Sequence, residues 1–114
     1  MKYQHQGLAA GGWEKLSLVE QLANVGSEVE RAMKWREKEN LEYSQLALMR
    51  ALELVDLTMR DDKNQKRLKE VARLRELLGD YFLGENKHGS SDSLWRKYFM
   101  AFNWAARLHG LRER

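Results

Sequence analysis

Two pairs of acidic residues are the first candidates for chemistry. Glu39 and Glu42, then Glu53 and Asp56, each set two carboxylates three residues apart, a spacing that puts both on one side of a helix. If the four converged, their oxygens would hold a hard cation such as magnesium and present it to a phosphate. Glu85 and His88 have the same spacing with an imidazole, the pairing that iron-binding helical proteins use. The cationic groups form two runs: Lys63, Lys66, Arg67, Lys69, Arg73 and Arg75, then Arg96, Lys97, Arg107, Arg112 and Arg114. Such side chains neutralise phosphates, and Lys66, Arg67 and Arg73 are the candidate contacts. Trp95, Tyr98, Phe99, Phe102 and Trp104 crowd the same C-terminal stretch. Of these, Trp95 and Phe99, four residues apart on a face beside the core stripe, either widen the core contact, the reading that leads, or join Arg96, Lys97 and Arg107 as the candidate partner surface.

A plainer reading competes with each of these. Glu39 stands beside Asn40 at an expected helix boundary, and the acids are interleaved with Arg36, Lys38 and Arg50, as on any solvated helix face. Glu85 and His88 sit between Gly84 and Gly89, in a loop, and no second copy of the pair exists. Asp61, Asp62, Glu70 and Glu76 dilute the first basic run. The chain has no cysteine, which removes disulfides and thiolate metal sites. No catalytic residue, metal ligand or cofactor is therefore assigned, and the reading leans away from an enzyme.

The elements that would position these groups are helices. Proline and isoleucine are missing, Thr58 is the only threonine, and Val19, Val25, Val29, Val55 and Val71 are the only valines, so a sheet has little to build with. Ser17 with Glu20 makes a capping box, after which Leu18, Leu22, Val25, Val29, Ala32 and Met33 share a face. Gly26 on that helix admits a close neighbour. Asn40 caps a second helix reaching about Arg60. Its two stripes, one of Tyr43, Ala47, Ala51, Leu54 and Thr58, the other of Leu41, Leu48, Leu52, Val55 and Met59, predict a central position. Asp61, Asp62 and Asn64 break the chain before a third helix carrying Leu68, Val71, Leu74, Leu78 and Tyr81. Ser90, Ser91 and Asp92 open a fourth, whose predicted core stripe is Leu94, Tyr98, Ala101, Phe102, Ala105 and Leu108, ending near Gly110. The expected fold is all-α, a single antiparallel bundle of about four helices over residues 13–114, preceded by a mobile arm at 1–12.

Composition sets the partners such a bundle would suit. With 43% apolar and 32% charged residues the chain can fold alone or as an oligomer. The formal net charge is +3, but the excess is uneven: Leu94 to Arg114 holds five Lys/Arg against one Glu. No apolar run approaches the roughly 20 residues of a membrane span, and the first twelve residues lack the apolar core of a signal peptide, so a cytoplasmic protein without a membrane partner is expected.

Four resemblances bear on function. The acid pairs look like those of the all-α nucleotide pyrophosphohydrolases, which implies a magnesium-dependent nucleotide hydrolase if Glu39, Glu42, Glu53 and Asp56 meet. Ala32, Trp35, Leu48, Ala51 and Leu52 are similar to positions of a tetratricopeptide hairpin, without the further copies such a repeat needs. The size is that of the HEPN ribonucleases, but their catalytic arginine and histidine find no match upstream of His88 or His109. At Leu18 to Arg31, Ala51 to Thr58 and Gly89 to Arg107 the chain resembles small uncharacterised prokaryotic all-helical proteins of unknown function, which transfers a fold and no site. The expected function is a non-enzymatic interaction or regulatory module that forms a homo-oligomer or engages a protein partner, with an RNA- or DNA-binding regulator and the magnesium-dependent hydrolase as alternatives.

Overall fold

In the computed structural model, residues 11–112 are described, with side-chain environments through residue 108. Ser17 caps the first helix, α1 (Leu18–Glu37), and the box is complete: its hydroxyl accepts from the Glu20 N–H while the Glu20 carboxylate accepts from the Ser17 N–H. Leu22, Val25, Val29, Ala32 and Met33 are buried along it. The chain reverses at Lys38 to Asn40, with Glu39 in the left-handed region at φ 62°, and the Asn40 side chain caps α2 (Leu41–Arg60) by accepting from Tyr43 N–H.

α1 and α2 lie antiparallel. Near the turn Ser44 donates to the Ala32 carbonyl at 2.7 Å, and further along Arg50 reaches the buried Glu28 carboxylate at 3.1 Å. Ala47, Leu48, Ala51, Leu54, Val55 and Thr58 fill the space between the helices. Both expected stripes of α2 contribute, but their N-terminal ends, Leu41 and Tyr43, are exposed, with the Tyr43 ring edge-on to Trp35 of α1 at 4.9 Å.

The third helix starts at Leu68, the first of its periodic residues. Asp62–Arg67 form a 3-10 turn, with the Asp61 carboxylate accepting from Lys63 N–H, and α3 (Leu68–Phe82) follows. Lys63, Lys66 and Arg67 thus belong to the turn, and the basic run is split between two elements. Val71, Leu74 and Leu78 face the core, which α3 enters against α2. α4 (Asp92–Arg112) packs along α1, and Gly110 does not end it, because the helix runs through to Arg112. The architecture is a small antiparallel helical bundle, with no strand among the described residues. Of the expected arm, residues 1–10 lie outside the described part; Gly11 and Gly12 are half-buried and lead into Trp13.

Trp13 closes one end of the bundle from a short 3-10 turn, Trp13–Lys15. Its indole N–H donates to Thr58 Oγ1 at 3.1 Å, and Thr58 in turn donates to the Leu54 carbonyl. Gln21 donates to the Trp13 carbonyl and to Asp61 Oδ2, while Asn64 donates to Gln21 Oε1 and to the Thr58 carbonyl. All five side chains are buried. The network joins the N-terminal turn, the start of α1, the end of α2 and the turn before α3, and each member loses water without losing its hydrogen bonds.

Burial alone would raise the Asp61 pKa, but hydrogen bonds from the Lys63 and Gln21 side chains and from Lys63 N–H hold its carboxyl below the usual range. A depressed carboxylate stabilises the fold above the unfolded-state pKa, and that stabilisation is lost as pH falls through the folded-state value. Asp61→Ala leaves Gln21 short of an acceptor and should lower stability by about 1–3 kcal/mol at neutral pH. In chemical denaturation the gap between wild type and variant should close as pH falls below about 4, the ordinary range for an aspartate.

Candidate interaction surface

α4 is set against α1 by three fixtures. In its first turn the Asp92 carboxylate accepts from Arg36 at 2.8 Å and from the Tyr81 hydroxyl at 2.6 Å, and the Arg36 guanidinium lies 4.7 Å from the ring centres of both Tyr81 and Phe82. One turn on, Arg96 bridges Glu30 at 3.0 Å and Glu37 at 2.8 Å. The Glu37 and then the Glu30 hydrogen bonds raise its pKa above the ordinary guanidinium value. At the third fixture Phe99 lies across Gly26, so closely that a Cβ on Gly26 would stand 2.7 Å from the ring.

These fixtures decide which face of α4 is inside: it is the side of Trp95 and Phe99, not that of Leu94 and Tyr98. Trp95 and Phe99 are 5% and 4% exposed and stack on each other, whereas Leu94 is 56% and Tyr98 42% exposed. Of the predicted core stripe Phe102 packs against the core, whereas Leu94, Tyr98, Ala101 and Leu108 are exposed, so the inner face is displaced by about one residue, roughly 100° of helix. Trp95 and Phe99 belong to the core and cannot serve as a partner surface. Arg96 is engaged within the chain. Of the five residues of that candidate surface Arg96, Lys97 and Arg107 are exposed, and Arg96 is matched to Glu30 and Glu37.

The physical reason is that α4 is apolar on nearly every side. Between Leu94 and Leu108 the charged residues are Arg96, Lys97 and Arg107 alone, so periodicity does not single out an inner face. What singles it out is the slot at Gly26. The outer face carries Leu94, Tyr98, Met100, Trp104 and Leu108, with Ala101 and Ala105 between them. No side chain from Asn103 to Leu108 is buried. Met100, Trp104 and Leu108 repeat every fourth residue, a signal present in the sequence but hidden among the other aromatics.

The other candidates do not assemble. Glu39 is in the α1–α2 turn and Glu42 at the start of α2, about 16 Å of helix from Glu53. Asp56 is held by Arg75 at 2.7 Å. Glu85 is exposed in the α3–α4 loop, and His88 approaches Glu76 at 3.8 Å. Among the described residues no group of acids, histidines or cysteines is clustered closely enough to hold a metal ion. Of the candidate phosphate contacts, Arg67 pairs with Glu70 and Arg73 with Glu76, while Lys66 is exposed.

The fold defines a class, the small four-helix bundle, and its most distinctive surface is the uncovered side of α4. Compared with protein-family models, curated proteins and solved structures, the chain has no significant match. Among the described residues no helix is long and apolar enough to cross a membrane.

The Gly26 slot can be tested by a double-mutant cycle. Gly26→Ala should destabilise by about 1–3 kcal/mol, because Phe99 must move out of a packed core. With Phe99→Leu already present, the same substitution should be neutral or stabilising by up to about 1 kcal/mol, alanine's helix preference now acting alone. Equal effects in both backgrounds would show that Phe99 does not define the slot.

Proposed function

We propose that this chain is a non-enzymatic, self-associating helical module of the cytoplasm, and that two copies meet through the outer face of α4. The observation that carries the reading is the uncovered run from Met100 to Leu108, in which Met100 and Trp104 are 63% and 61% exposed. Together with Leu94 and Tyr98 these side chains make an apolar surface of roughly the 300–600 Å² that marks the largest patches on ordinary monomers. An interface of standard size takes about 800 Å² from each partner, so this face would supply its apolar centre and Lys97, Asn103 and Arg107 its rim.

A second copy is the occupant this surface suits. Ala101 and Ala105 allow two helices to approach closely, and an antiparallel crossing there would set each Trp104 against the apolar side chains of the other chain. Nucleic-acid binding is less well supported, because Arg67, Arg73, Arg75 and Arg96 are each matched to a carboxylate of this chain. The magnesium-dependent hydrolase has no assembled acidic site to rest on.

The experiment is sedimentation velocity over a concentration series at two salt concentrations. Trp104→Glu should weaken the dimer by about 30-fold or more while leaving the circular dichroism unchanged, as expected for an aromatic anchor at the centre of an interface. Salt should tighten the dimer, because Lys97 and Arg107 of the two copies would come near each other and screening relieves their repulsion. A monomer at all concentrations would remove the proposal. Nucleic acid that bound at low salt and was released at high salt would favour the nucleic-acid reading instead.

A further inference from the structure

Between α3 and α4 the bundle is not closed. A groove of about 410 Å³ runs there, walled by Leu74, Leu77, Leu94, Trp95 and Tyr98, within the size range of small-molecule sites. It flanks the N-terminal half of α4, away from the Met100 to Leu108 row. Three independent features bear on what it would hold.

The first is its apolar lining. The second is Trp95, whose indole N–H is fully shielded from solvent yet has no acceptor, the only such buried side-chain atom among the described residues. A buried donor left unpaired is costly, and natural structures carry few of them. The third is the charge at the rim. Glu70 is matched by Arg67 and Arg73 by Glu76, so the groove offers no net charge to attract an ion.

We propose that the α3–α4 groove binds a neutral, largely apolar small molecule bearing one carbonyl-type acceptor, which takes the hydrogen bond that the Trp95 indole lacks. Tyr98 is the side chain that would yield. Its ring stands edge-on to Trp95 at 5.8 Å and to Phe99 at 4.9 Å and is 42% exposed, so it is the partly open side of the aromatic cluster over the indole. The groove shares Leu94 and Tyr98 with the outer face of α4, but its test reads probe binding rather than oligomeric state, so the two proposals fail separately.

The test uses the full chain labelled with ¹⁵N and two probes of nearly equal shape, acetophenone and ethylbenzene, of which only the ketone accepts a hydrogen bond. The chain has four tryptophans, and loss of one indole signal in Trp95→Phe identifies the relevant resonance. Acetophenone should move that resonance downfield and bind about fivefold more tightly than ethylbenzene, the advantage of one neutral hydrogen bond. In Trp95→Phe the two probes should bind equally. Leu77→Phe and Leu94→Phe, which narrow the groove from its two walls, should each weaken both probes. An unmoved Trp95 resonance under acetophenone would overturn the proposal, as would equal affinities for the two probes in the unmodified chain or undiminished binding in both narrowed variants.

Discussion

The close crossing of α4 over Gly26 is the constraint from which the rest of the surface follows. α1 has to bury one side against α2 and another against α4, and the second contact is possible only where a residue without a Cβ lets the Phe99 ring lie against the helix backbone. Once Phe99 is seated, Trp95 is carried inward with it, Arg96 falls between Glu30 and Glu37, and Leu94 and Tyr98 turn outward. The surface ion pairs add little energy of their own. Their effect is to fix the rotation of a helix whose apolar residues would otherwise allow several.

The opposite end of the bundle is held by different physics. There the buried Trp13, Gln21, Thr58, Asp61 and Asn64 satisfy one another across four segments that an apolar cluster alone would align less specifically. One end is thus specified by polar complementarity and the other by a steric slot. α3, tied closely to α2 but only thinly to α4, leaves the groove between them.

Much of this fold is legible in the residues themselves. The capping box at Ser17, the Asn40 cap and the stripes of α1 follow local rules, and the structure places them as those rules require. The rotation of α4 is not legible, for a physical reason: a helix apolar on almost all sides has no preferred inner face until a neighbour supplies one, and the neighbour's contribution, Gly26, lies 73 positions from Phe99 in the chain. The polar network is equally hidden, because nothing in the spacing of Gln21 and Asn64 along the chain says that they meet beneath Trp13. The acid pairs obeyed a helical spacing, but spacing along one helix says nothing about whether two pairs meet in space.

The central claim is that the C-terminal half of α4 finds its cover in a second copy of the chain. Amide hydrogen exchange measured across a wide range of protein concentration addresses it directly. Residues 100–108 lie at the free edge of the bundle, and in an isolated chain their amides should exchange quickly through local opening. The account predicts that their protection rises with concentration while that of α2 stays constant. Protection in α4 that is the same at every concentration would contradict it.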